Sequence, residues 1–491
     1  MPNALSRGIF NLFFGAKRKP FASLPGPQPG ILGTAGDFLG ASPWDVCARY
    51  GREYGGVTLI WMGPNPGLVL NDPALIAEVY ESPRRMEFEK GNISEQIRPS
   101  TTDDTAFTAE LRGDWVQKRQ LEPSAQSWAP EALADLVGPM QASISESLDA
   151  LLKQERIDDL ASVLRRLTFD AFSVAQVGEK LPDQVFEDFM LLAKAADARI
   201  QSKLPLKFVK PPKDFEATKA RFYGHFVDRI REARKRQDPR ALDLMSRYLR
   251  ETPGIDDQVL AHMLGGTYFG GAFSSSVTLV GAFHQLNKYP QAEARLAAEA
   301  ASLVADGPLT SGKLEGAKWA EAVAYEALRI LPAVRVMTRT PSKDAQLAGV
   351  TLPAGSMIMI SNQHLHRDPK HWEDPDTFKP ERWLDGGAAR DPLGSGYFFP
   401  FGRGPRACVG ADFAMVFLKT ALTTIASRVK VQLDSTEPFE EGFFFGVVLP
   451  KGVTGKLVAR SAQAAQDLPS ATRTPPPDPL TLPRAQGASR P

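Results

Sequence analysis

Residues 259–286 contain no Asp, Glu, Lys or Arg, and the run stops at Tyr289-Pro290. Apolar character sustained over that length predicts one long buried helix ended by proline. From about residue 130 onward the spacing is dominantly helical. Phe222, Phe226, Ile230 and Ala233 recur on one face, and their helix runs out in Arg234-Lys235-Arg236, which reads as a solvated end. Strand patterns are few. V-T-L-I-W, the turn G-P-N-P-G and the return L-V-L over residues 57–70 predict a hairpin. Asp72 and Pro73 then stand at N-cap and first-turn positions of a helix through Tyr80. Residues 349–360 read as strand, P-A-G turn and strand. Residues 20–30 form a stiff Pro/Gly-rich lead-in. From Ser461 the chain turns to Ala, Gln, Pro, Ser and Thr, a composition too poor in apolar area to form a core.

The pattern is therefore that of one large domain, mainly α with a small β-sheet region, over residues 31–460. Residues 1–30 would form the lead-in and residues 461–491 a disordered tail. Length alone, 491 residues, would suggest more domains. The net charge of +1 excludes any electrostatic argument for nucleic acid or a strongly acidic partner. Two cysteines, Cys47 and Cys408, imply no disulfide framework. No segment reaches the roughly 18 apolar residues that would cross a bilayer. Ile9, Phe10, Leu12, Phe13 and Phe14 followed by Lys17, Arg18 and Lys19 leave room only for weak contact with a membrane surface. A secretory signal would carry its charges first, so a cytoplasmic protein, at most peripheral to a membrane, is expected.

The chemistry concentrates at Phe401–Gly410, F-G-R-G-P-R-A-C-V-G. The apolar run after Cys408 (Ala411, Phe413, Ala414, Val416, Phe417, Leu418) predicts a helix. A thiol at a helix start faces free N–H groups that favour its thiolate. Thiolate is a good axial ligand for haem iron. Gly404 and Gly410 would let the backbone approach a flat macrocycle, and Arg406 would supply a cation for a propionate. Taken alone, a single cysteine is more often a buried small hydrophobe.

The spacing Phe401, Gly404, Arg406, Cys408, Gly410 resembles the F-x-x-G-x-R-x-C-x-G loop of the cytochrome P450 family, and further motifs follow in that family's order. Trp115 and Arg119 resemble W-x-x-x-R. Glu326-Ala327-Leu328-Arg329 resembles E-x-x-R, and F-K-P-E-R-W, containing Arg382, resembles P-x-R. The resemblance, to a soluble bacterial-type member, spans about residues 25–460. It implies a mostly α fold with a small sheet that holds haem b. It also implies Cys408 as the iron ligand, with Arg406, Trp115, Arg119, Arg339, Phe401, Gly402 and Gly410 about the cofactor. Glu326, Arg329 and Arg382 would form a buried structural network.

One departure stands out. The family's oxygen-activating helix carries [AG]-G-x-[DE]-[TS]. Ser274 lies sixteen positions before Pro290, as the alcohol residue should, behind Gly270-Gly271-Ala272-Phe273. The paired glycines suggest a distorted helix on the oxygen side, but Phe273 stands where the acid belongs and cannot donate a proton. Ser274, with Ser275 and Thr267, would have to organise water instead. The resemblance thus implies a monooxygenase taking dioxygen and external electrons to a hydrophobic small-molecule substrate. Phe273 keeps open a peroxygenase or a haem-thiolate isomerase or dehydratase, and a haem sensor or carrier is the non-enzymatic reading.

No Gly-rich dinucleotide site or multi-cysteine cluster accompanies these motifs. A separate redox partner, a ferredoxin or flavoprotein reductase, is therefore expected, docked through cations such as Lys118, Arg403 and Lys419. By family position the substrate pocket would include Ile93, Phe107, Phe273, Val336, Met337, Phe444 and Phe445. Arg335 would pair with a substrate carboxylate or a propionate.

Overall fold

The computed structural model describes residues 4–39, 41–81, 85–101, 128, 130–202, 208–384, 393 and 395–460. The long apolar run forms a single helix, Asp257–Lys288, and it organises the rest. Its start is fixed by Asp256, whose carboxylate accepts from the Gln258 and Val259 amides. Its end is fixed by Pro290, which opens the next helix.

The main helices are α1 (Ala4–Arg18), α2 (Val137–Leu151), α3 (Leu160–Val177), α4 (Asp183–Ile200), α5 (Phe215–Arg236), α6 (Asp257–Lys288), α7 (Lys318–Ile330) and α8 (Ala411–Arg428). α6 packs against α3, α5 and α7, and α8 lies against α2 and α7. The core is continuous from α2 to α8, while Phe10 of α1 belongs to a second cluster under the sheet. Phe222, Phe226 and Ile230 of α5 are fully buried in it, as their spacing predicted.

The largest sheet has five strands, β1 (Val57–Met62), β2 (Asn65–Leu70), β3 (Phe88–Glu89), β4 (Val336–Pro341) and β5 (Met357–Ser361). Their spatial order is β1-β2-β5-β4-β3, with only β2 and β5 parallel. The hairpin turn is tighter than its Pro/Gly content suggested, because Asn65-Pro66-Gly67 belongs to β2. Gly67 acts there as a strand glycine: a Cβ at this position would lie 2.5 Å from the Met357 carbonyl oxygen of β5. Asp72 caps the helix Pro73–Glu81 by accepting from the Ala74 and Leu75 amides at 2.8 and 3.0 Å.

The P-A-G turn separates two strands that do not pair with each other. Val350–Leu352 pairs with Ala345–Leu347, while β5 joins the main sheet. A further hairpin joins β6 (Glu440–Phe444) to β7 (Val447–Lys451). The N-terminal segment is more than a lead-in. It contains α1, and Phe10 and Phe21 are buried against Trp61. The tail, residues 461–491, lies outside the described residues.

Candidate active site around Cys408 and the central helix

Cys408 ends a loop whose shape is set by its own backbone. The Gly402 amide donates to the Phe399 carbonyl at 2.9 Å, and the Cys408 amide donates to the Phe401 carbonyl at 2.7 Å. Gly402 and Gly404 both have positive φ, 69° and 68°. At Gly404 an added Cβ would lie 2.0 Å from the Tyr80 carbonyl oxygen. That glycine therefore serves the contact with the helix Pro73–Glu81, a correction to the expectation that it faces a macrocycle. Gly410, the residue before α8, borders the Trp128 ring and the Cys408 sulfur. Phe401 packs on the main core. Cys408 itself is exposed, whereas Cys47 is buried and its thiol is pushed up to about 12 by desolvation.

The loop is tied to the core through His366, which the sequence reading did not single out. The Phe399 amide donates to His366 Nε2 at 3.2 Å, so this nitrogen must be unprotonated. The residue is fully buried, and desolvation with the nearby Arg329 charge lowers its pKa to about 3. The His366 carbonyl in turn accepts from Arg329 Nη1 at 2.9 Å. One residue thereby joins the cysteine loop to the buried charge network.

That network is fully partnered. Glu326 and Arg329 are both 0% exposed and form a bidentate pair at 2.8 and 2.9 Å. Arg382 Nε, the Lys379 amide and the Trp383 indole also donate to the Glu326 carboxylate, at 3.1, 2.8 and 2.8 Å. Arg329 spends its remaining donors on the His366, Pro375 and Thr377 carbonyls. The structure thus brings Glu326, Arg329 and Arg382 together and adds Trp383 and His366. A buried pair in this state is costly to break because one charge would be left bare.

The cofactor cations fare differently. Arg406 pairs with Glu89 at 3.1 Å. Arg339 is 6% exposed and has no ion pair with a carboxylate among the described residues. It donates to the Thr338 carbonyl at 2.8 Å and lies over the Tyr80 ring at 4.8 Å. A buried guanidinium without an anion, beside a loop that presents a thiol, fits the carboxylates and iron of a haem. Arg335 does not fit the anion role expected of it. Glu441 takes it at 2.6 Å, and the Trp44 indole donates to the same carboxylate oxygen. Trp115, Arg119 and Lys118 lie outside the described residues.

α6 runs as an unbroken helix through Gly270 and Gly271, without the distortion expected there. The two glycines do different things. Gly270 is exposed on an otherwise largely buried helix, and nothing lies within 4 Å of its missing Cβ. Gly271 faces the Phe172 ring of α3, 3.2 Å from where a Cβ would sit, so it serves helix packing and not the oxygen side. The Ser274 hydroxyl is turned to the Gly270 side and donates to the Gly270 carbonyl at 2.6 Å. Thr267 accepts from Gln176 and donates to the Leu264 carbonyl, while Ser275 is buried. Burial removes Ser275 from the role of organising water, while Thr267 and Ser274 both keep partial access to solvent.

Phe273 is fully buried and therefore does not line an open pocket, contrary to expectation. It stacks on Phe189 of α4 at 5.0 Å and meets Phe444 and Phe445 at 5.2 and 5.9 Å. Phe445 is likewise buried, whereas Phe444, Val336 and Met337 keep some exposure. Ile93 sits on the helix Asn92–Thr101, but its side chain, like all of Phe107, lies outside the described residues. Arg165 of α3 stands 5.6 Å from the Phe273 ring. It is 9% exposed, forms no ion pair among the described residues, and desolvation lowers its pKa. Phe273 thus has a cation for a neighbour, one with no ion pair among the described residues.

The expected docking cations are also engaged. Arg403 pairs with Glu81 at 2.5 Å and Lys419 with Glu321 at 3.7 Å. Burial lowers the Lys419 pKa. Neither is a free surface charge, which removes them as the basis of a docking patch.

The sequence model of the family "Cytochrome P450" matches residues 24–454. Among curated proteins, the chain is 26% identical over 392 residues to cyclooctat-9-en-7-ol 5-monooxygenase of Streptomyces melanosporofaciens, covering 77% of this chain and 83% of that protein. It is 25% identical over 443 residues to cytochrome P450 3A11 of Mus musculus, covering 83% and 85%. It is also 26% identical over 415 residues to protein LUTEIN DEFICIENT 5, chloroplastic, of Arabidopsis thaliana, covering 78% and 69%.

Proposed function

The chain belongs to the cytochrome P450 family, whose members bind haem b and act as monooxygenases, and we propose that it oxidises a hydrophobic small organic molecule with dioxygen and electrons from a separate donor protein. Cys408 is the axial ligand in this reading. The observation that carries it is the exposed Cys408 thiol on a loop pinned by its own amides, with Tyr80 touching both that loop at Gly404 and a buried Arg339 that has no ion pair among the described residues. When bound, the haem supplies the activation of dioxygen and the oxidation of the substrate.

The protein's own residues would do the following. Arg339 neutralises a propionate. Gly270 keeps the face of α6 clear of side chains. Ser274 holds a proton at Oγ, ready to pass to a water once its bond to the Gly270 carbonyl opens. Phe444, Val336 and Met337 offer an apolar surface. An apolar substrate also agrees with the Streptomyces relative, whose name gives cyclooctat-9-en-7-ol as what it oxidises.

The buried Phe273 favours a second reading, a peroxygenase or a haem-thiolate isomerase or dehydratase that needs no electron donor. Turnover assays with and without a reducing partner separate the two. Product that requires both reductant and dioxygen supports the monooxygenase. Product formed with peroxide or substrate alone, at the same rate without reductant, overturns it. A Soret titration against apolar compounds finds the substrate class for either assay.

A further inference from the structure

Helix α1 has two apolar faces. On one, Phe10 is buried with its ring edge-on to Trp61 at 5.6 Å, and Phe14 packs beside it. Phe21 holds the same tryptophan at 5.9 Å. This face pins the helix flat against the five-stranded sheet. The other face carries Leu5, Ile9, Leu12 and Phe13, which at helical spacing share an arc of about 100°. Leu5, Leu12 and Phe13 are 73%, 80% and 70% exposed.

A neighbouring loop extends that surface. The Ile31 amide donates to Ser6 Oγ at 2.7 Å, which brings Ile31 and Leu32, 53% and 54% exposed, beside the helix. Scattered apolar residues need no explanation, but a contiguous set on one pinned helix marks a contact surface.

Charge decides the partner. Residues 1–36 contain no Asp or Glu, while Arg7, Lys17, Arg18 and Lys19 are all present, and Asp37 is the first acid of the chain. Arg7, Lys17 and Lys19 are exposed. An apolar stripe on a segment whose only charged side chains are cations matches an anionic lipid interface, where the two signals add. No helix among the described residues is long and apolar enough to cross a membrane, so the contact lies in the plane of the surface.

We propose that the outer face of α1, with Ile31 and Leu32, seats this protein on an anionic lipid surface. The lipid would receive Leu5, Leu12 and Phe13 at the level of its headgroups, with Lys17 and Lys19 over the phosphates. Docking is reversible and weakens as salt rises.

The test is co-sedimentation of the full-length holoprotein with phosphatidylcholine vesicles and with equal mixtures of phosphatidylcholine and phosphatidylglycerol. Partition onto the mixed vesicles should exceed that onto the neutral ones by at least about tenfold, since each surface cation adds about fivefold. L12D/F13D should lose most of that binding while keeping its Soret spectrum and thermal transition, because both side chains point to solvent. K17E/K19E should bind mixed and neutral vesicles alike. Equal binding of the unaltered protein to both vesicles, binding to neither, or undiminished binding of L12D/F13D would overturn the proposal. A dimer abolished by L12D/F13D, with no vesicle binding by the unaltered protein, would overturn it in favour of a second copy of the chain.

Discussion

Two buried arginines, Arg329 on α7 and Arg165 on α3, have surroundings that could hardly differ more. Arg329 has a bidentate carboxylate and three carbonyls. Arg165 has the face of Phe273 and no ion pair among the described residues. The first belongs to a frame in which nearly every polar group is spoken for, and that frame holds the loop carrying Cys408 through His366. The second sits against the ring of Phe273 on the helix bearing Ser274. Structure is over-determined around Arg329 and loosely determined around Arg165.

The comparison breaks most visibly at Glu326. Glu326→Gln leaves two guanidiniums facing a neutral amide, and urea unfolding should show a loss of about 3–5 kcal/mol or no folded holoprotein. A loss under about 1 kcal/mol would mean that the network is not the frame described.

Acid should act on the same side. His366 has a pKa of about 3 in the fold against an ordinary 6.5. Between those values the unfolded chain takes up a proton that the fold refuses. Stability contributed by the neutral ring is complete above pH 6.5. It falls by about 1.4 kcal/mol per pH unit below it, and the fall ends near pH 3. His366→Gln keeps an acceptor for the Phe399 amide and should flatten that slope when unfolding is followed at pH 7 and pH 5. An unchanged slope would place the acid sensitivity elsewhere.

The oxygen side predicts smaller numbers of opposite sign. Arg165→Met removes a buried charge that has no ion pair among the described residues and should leave stability unchanged or raise it. Phe273→Glu places a carboxylate beside Arg165. In a double-mutant cycle with Arg165→Met, the pair should couple favourably by about 0.5–3 kcal/mol. Zero coupling would show that Arg165 turns away from position 273. Smallest of all is Gly271→Ala. The helix gains up to about 1 kcal/mol in propensity, while Phe172 must yield a few tenths of an ångström, so the thermal midpoint should move little.

Much of the frame was legible because it depends on local spacing. The i,i+3 pair Glu326/Arg329, the cap at Asp72 and the proline after α6 each announce themselves within a few residues. What stayed hidden depends on partners distant in the chain. Arg335 looks like a free cation until Glu441 is folded against it. Gly404 looks like a cofactor glycine until the Tyr80 carbonyl is found in its way. Gly270 and Gly271 are adjacent letters, and only the packing of Phe172 shows that they face different surroundings. His366 carried no signal of its own, since its hydrogen bond to the Phe399 amide spans 33 positions.

The central claim is that Cys408 binds iron as a thiolate, on a loop held by the frame. Its most direct measurement is the Soret spectrum of the reduced, CO-bound protein, beside that of Cys408→Ser. The unaltered protein should show the red-shifted thiolate band, and the variant should lose it. A band at the unshifted position in the unaltered protein, or the same red-shifted band in Cys408→Ser, would contradict it.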